Sequence, residues 1–215
     1  MPSLHEAIRS MFETGSTSVV ADHLDTLGDS SAPVVRSMSA PTEALRFLAP
    51  ELDNIGIVFD LPVKDLDKLD IALRHSATED HVLFTLACDF ATHVLPIYEE
   101  WNEFDTRPSE LLQSMRDWIN GTNSDETLRI SRNALCSRPA YDKIQRIPEA
   151  SRAVVSTIMR ATNPWALATH CVAAFNAYNT AEFARNAAGD DEMIWQLDHA
   201  RIVLHRKADD TPNAR

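Results

Sequence analysis

An aspartate and a histidine four residues apart on a helix share one face, the arrangement from which acid–base pairs and metal sites are built. Asp89 and His93 have that spacing, and Glu100 falls on the same stripe seven residues beyond His93. Asp89 could orient His93 as a base, or the two could ligate a metal. The competing reading is an Asp–His hydrogen bond that ties this helix to a neighbour. It carries more weight, because no second half of a metal site is visible and the Glu-x-x-His spacing of di-iron bundles does not occur. His170 and His199 are the other mid-helix histidines and suit helix contacts. Asp198-His199, next to Arg201, could reach the Asp89 stripe if the two helices are adjacent. No Gly-x-Ser-x-Gly elbow surrounds any serine, and five glycines leave no phosphate loop. Cys88 lies beside Asp89 in an apolar run, and both surroundings raise a thiol pKa, the wrong direction for a nucleophile. No catalytic residue, cofactor or metal is expected from these patterns, and a non-enzymatic role is favoured.

A second constellation follows the same helix. Trp101 and Phe104 stand among Glu99, Glu100, Glu103 and Asp105. Aromatic rings framed by acids suit a basic protein partner. The plainer reading buries Trp101 in the core, because it continues the apolar spacing of the helix before it. In Asp105-Thr106-Arg107-Pro108, Asp105 or Thr106 can cap the helix that Pro108 opens. Arg107 is left to pair with a carboxylate such as Glu100 or Glu103.

The elements that would position these residues read as helices throughout. Residues 81–101 place Val82, Leu83, Leu86, Phe90, Val94, Ile97 and Trp101 on one broad face, so this helix should be a buried central rod, kinked at Pro96. Further helices are predicted over 108–120, 125–135, 148–160 and 165–188. A last one starts at Asp190, with His205, Arg206 and Lys207 at its negative end. The N-terminal third reads as shorter helices. Ser3 and Glu6 form a capping box, Gly15 and Gly28 are stops, Pro33, Pro41 and Pro50 suit first turns, and a helix covers 64–75 with Leu66, Leu69 and Leu73 on one face. Residues 55–61 are the one β-flavoured run and, lacking a partner, should be an extended connector.

Composition agrees with one all-α protein, an antiparallel multi-helix array with a short-helix N-terminal extension. Its 215 residues are 44% apolar and 24% charged, as expected of a folded chain. The net charge of −12 disfavours nucleic acid as a partner and would attract a basic one. Cys88, Cys136 and Cys171 are odd in number and form no CxxC pair, so no disulfide framework is expected. No run approaches 18 uninterrupted apolar residues, and no leader pattern opens the chain, so a cytoplasmic location without membrane contact is expected.

The run from Leu86 to Glu100, then Asp105-Thr-Arg-Pro and Met115-Arg-Asp-Trp-Ile-Asn-Gly, resembles the bacterial immunity proteins of polymorphic toxin systems. Their helix reads A-x-D-C-A-x-x-V-L-P-x-[FY]-E, followed by D-x-R-P and a helix ending near A-W-A-x-G. Ala87, Asp89, Ala91, Val94, Leu95, Pro96, Tyr98 and Glu99 match, as do Asp105, Arg107, Pro108, Trp118 and Gly121. The cysteine that follows the aspartate in that pattern is Phe90 here, with Cys88 before it instead. The resemblance covers about residues 79–204; residues 138–147 and the N-terminal third lie outside the pattern.

The resemblance implies an all-helical protein that binds and neutralises a toxin. The expected organisation is an N-terminal short-helix segment over 1–77, an immunity-protein-like domain over 78–207 and a frayed tail over 208–215. The expected partner surface is Glu99, Glu100, Trp101, Glu103, Phe104, Asp105 and Arg107, facing a basic toxin domain. Asp89, His93 and His199 are kept as a polar site. The alternatives are a metal-binding or acid–base enzyme built on that Asp/His/Glu stripe, and a phage or host-defence adaptor that grips a second protein through residues 1–77.

Overall fold

The computed structural model describes residues 3–48, 58, 61, 64–75, 80–137, 148–164 and 171–210. Among them are eleven helices and no strand, so the protein is an all-α array. Contacts divide the chain into two compact units, residues 1–77 with 204–215, and residues 78–203.

The first unit holds α1 (Leu4–Thr14), α2 (Ser18–Leu27), α3 (Ala32–Ser37), α4 (Pro41–Leu48) and α5 (Asp65–His75). Its local signals are those of the sequence. Ser3 N–H donates to Glu6 Oε2 at 2.7 Å and Glu6 N–H to Ser3 Oγ at 3.3 Å, which completes the capping box of α1. Gly28 closes α2 at φ +72°, a conformation that costs a residue with a Cβ about 1–2 kcal/mol. Ile8 and Met11 of α1 are fully buried, and α1 packs on α2. Arginines stitch the other helices together: Arg36 of α3 reaches Asp22 and Asp25 of α2, and Arg46 of α4 reaches Asp67 and Asp70 of α5. Leu69 and Leu73 are buried as expected. The side chain of Leu66, Pro50 and most of the 55–61 run lie outside the described residues.

The second unit is organised by α6 (Asp80–Glu99), which packs against α7 (Arg107–Ile119), α9 (Glu149–Ala161) and α10 (Cys171–Ala188). Leu83, Leu86, Phe90 and Ala91 are fully buried on α6, so the segment is the central rod that its apolar spacing predicts. It is long and apolar enough to cross a membrane, but most of its surface is spent on packing within the protein. The helix runs through Pro96 and stops at Glu99. Trp101 therefore lies beyond the helix end, in the connecting loop, and 62% of it is exposed. The expectation that it continues the core face fails for that reason.

Three further devices hold this unit. Trp118 of α7 meets Phe84 of α6 edge to face at 5.8 Å, and its Nε1–H donates to Asp125 at the start of α8 (Asp125–Cys136). Arg132 of α8 donates to Asn163 Oδ1 and to the Met159 carbonyl, joining α8 to the end of α9. Gly189, at φ +93°, turns α10 into α11 (Asp190–Asp210), and Gln196 Nε2–H then donates to the Ala181 carbonyl at 3.1 Å. Residues 208–210, expected to be frayed, continue α11; the side chains of His205, Arg206 and Lys207 and residues 211–215 are outside the described residues. Residues 138–147 and 165–170, including His170, are also outside them.

Candidate functional site

Asp89 and His93 share a stripe of α6, but they do not serve each other. Each is taken up by α11. Asp89 Oδ2 accepts from His199 Nε2 at 2.9 Å, across 110 residues of sequence, while its Oδ1 accepts from Arg116 of α7 at 3.0 Å. Arg116 also donates to Thr92 Oγ1 at 2.9 Å. His93 Nδ1 donates to Glu192 Oε2 at 2.6 Å, and Glu192 Oε1 accepts from Gln196 at 3.0 Å. Trp195 lies between the two imidazoles, stacked on His93 at 3.6 Å and on His199 at 4.9 Å, with Phe90 presenting its edge at 6.3 Å. Two carboxylates, two histidines, an arginine and one indole thus clasp α6, α7 and α11 together.

This clasp has little chemistry to spare. Each histidine–carboxylate pair is closed by a further donor, and Glu192 is 1% exposed in its side chain. Among the described residues no group of three or more His, Cys, Asp or Glu side chains is placed to hold a metal ion. Glu100, which the stripe would have added, lies past the end of α6 in the loop and joins neither pair. Cys88 is buried beside the clasp. Burial, reinforced by Asp89 and opposed by Arg116, pushes its thiol up to about 12, so it holds its proton.

The loop from α6 to α7 is built differently. Its backbone is held by turns: Trp101 N–H and Asn102 N–H both donate to the Tyr98 carbonyl, and Asp105 N–H donates to the Asn102 carbonyl at 2.9 Å. Asp105 then pins the loop. Its carboxylate accepts from Tyr98 Oη–H at 2.7 Å and from Arg107 through Nε–H at 2.6 Å and Nη2–H at 2.5 Å. The Arg107 hydrogen bonds, helped by Tyr98 and opposed by partial burial, hold the Asp105 carboxyl down at about 2. Burial and the bond to Asp105 raise the Tyr98 hydroxyl in turn. Arg107 therefore spends its fork on Asp105 rather than on Glu100 or Glu103, because the nearer carboxylate offers two-point geometry within the same turn. Asp105 also accepts from the backbone N–H of Arg107, whereas Thr106 turns its hydroxyl to Glu110.

What the pin presents outward is apolar and acidic. Phe104 is 90% exposed, and Trp101 is exposed beside it. Glu99, Glu100 and Glu103 are exposed, and none of the three forms an ion pair or side-chain hydrogen bond among the described residues. Residues 100–107 line an open hollow of about 680 Å³. The expected partner surface is thus a continuous loop, with Asp105 and Arg107 as its internal brace. Arg116, Trp195, Glu192 and Gln196 were not singled out in the sequence.

The second unit is thus all-helical and braces one acidic, aromatic loop between α6 and α7. The model of the Imm-5 like putative immunity protein family matches residues 74–201, and the chain belongs to that family. No curated protein and no solved structure matches it.

Proposed function

We propose that the protein neutralises a protein toxin in the cytoplasm by covering a basic surface of the toxin with the loop between α6 and α7. Family membership supports toxin neutralisation in general. The observation that carries the choice of surface is the loop itself, where an almost fully exposed Phe104 and an exposed Trp101 stand among three acids that have no partner within the described residues. Large exposed aromatics are the usual energetic anchors of an interface, and unpaired charge around them speeds and orients association with an oppositely charged partner. The pin of Asp105, Tyr98 and Arg107 favours binding by fixing the loop beforehand, which lowers the ordering cost.

The placement of motif residues agrees with this division of labour. Asp89, Tyr98, Asp105, Arg107 and Trp118, which carry the resemblance, are engaged in holding helices and loop. Trp101, Glu103 and Phe104 fall between the motif positions and hold nothing, which leaves them able to differ with the toxin bound. The test is rescue of growth in cells that make the cognate toxin. The wild-type chain is expected to rescue, and the variant Glu99→Lys/Glu100→Lys/Glu103→Lys is expected to lose rescue while folding normally by circular dichroism. Full rescue by that variant would refute the loop as the binding surface.

A further inference from the structure

The hollow in the loop has a more specific chemistry than a patch of negative charge. Its wall is residues 100–107, among them Trp101, Phe104, Glu100 and Glu103, all four exposed. The wall contains one cation, Arg107, whose Nε–Nη2 edge is paired with both oxygens of Asp105. Among the described residues Glu100 and Glu103 form no ion pair, so no positive charge is paired with these carboxylates. An apolar side chain entering the hollow would strip water from the acids without replacing it, and an anionic group would be repelled. A cation meets both requirements at once, with carboxylates at its charged end and ring faces along its stem and plane.

We infer that this hollow receives one arginine or lysine side chain projecting from the bound protein. The inference rests on the loop being the binding face and specifies what enters it. The open volume of about 680 Å³ leaves room for such a side chain together with water. Arginine fits best, because its guanidinium is planar, weakly hydrated, stacks on indole and offers two-point hydrogen bonds to a carboxylate. Because the loop is held by the Tyr98–Asp105–Arg107 pin, the site exists before the partner arrives.

The probe is triarginine amide, with the isosteric but uncharged tricitrulline amide as control, titrated into the whole chain and followed by backbone and indole N–H resonances. Saturable shifts are expected at residues 100–104 and at the Trp101 indole with triarginine alone. Trp101→Leu should weaken the apparent affinity about twofold to fivefold, the worth of an exposed cation–π contact. Glu100→Gln/Glu103→Gln should weaken it by a similar factor. Equal shifts from tricitrulline, shifts scattered over the acidic surface without a centre at the loop, or indifference to Trp101→Leu would each overturn the inference. If the triple lysine variant fails to rescue growth yet triarginine leaves residues 100–104 unmoved, the binding surface survives and the cationic side chain does not.

Discussion

Asp105→Asn should destabilise the helical unit in a manner that depends on pH, and the size follows from the geometry of the pin. Arg107 and Tyr98 hold the folded carboxyl at about 2, against an ordinary value of 3.8. The folded carboxyl binds its proton less tightly than the unfolded one, so it contributes stability above pH 3.8 that is lost as the pH falls toward 2. A fall of that size is worth about 2.4 kcal/mol if taken whole. Solvent reaches the pair, with side-chain exposures of 29% for Arg107 and 18% for Asp105, so about 1–1.5 kcal/mol is the realistic figure. At pH 3 about half of the linkage remains, since the folded carboxyl is still mostly ionised while the unfolded one is mostly protonated. Urea unfolding of wild type and Asp105→Asn at pH 7 and pH 3 measures both values. The difference between the proteins should shrink by about half at the lower pH, with the urea slope unchanged. A difference that is the same at both pH values would refute the reasoning and leave Asp105 a packing residue.

Other outcomes follow from the clasp and the turns. His93→Ala removes a partner from a carboxyl that is 1% exposed, and should cost about 1–3 kcal/mol by urea unfolding; adding Glu192→Met should recover part of that loss. Gly189→Ala forces a Cβ into φ +93° with open space around it, so about 1–2 kcal/mol of backbone strain should appear as a lower Tm. Iodoacetamide at pH 8, read by peptide mass mapping, should label exposed Cys136 in the folded protein and spare Cys88, which burial holds at about 12 until the chain is unfolded.

Local signals in the sequence were reliable where they act locally. The Ser3–Glu6 box, the stops at Gly15 and Gly28 and Pro108 in a first turn all mark helix ends seen in the structure, because each satisfies or interrupts backbone groups within a few residues. The central place of α6 was legible from an apolar arc wider than half its circumference. Its last turn was not. Helical spacing extrapolated past Glu99 put Trp101 in the core, whereas the chain leaves the helix there through turns closed on the Tyr98 carbonyl.

The candidate site shows the same limit. The spacing of Asp89 and His93 placed both on one stripe, but spacing within a helix cannot say what lies opposite. Their partners come from α11, about a hundred residues later, and the indole between them had no signal that separates it from any other tryptophan. Sequence alone leaves Arg107 able to reach the glutamates, because pairing within a turn and pairing across one look alike there. The two-point bond to Asp105 decided it.

The most direct measurement is the association rate of the protein with its toxin across a series of salt concentrations, for the wild type and for Glu99→Gln/Glu100→Gln/Glu103→Gln. The wild-type rate should fall about tenfold or more between low and high salt, and the variant should start slower and respond weakly to salt. Identical salt dependence in the two proteins would mean that the toxin is not met by this loop.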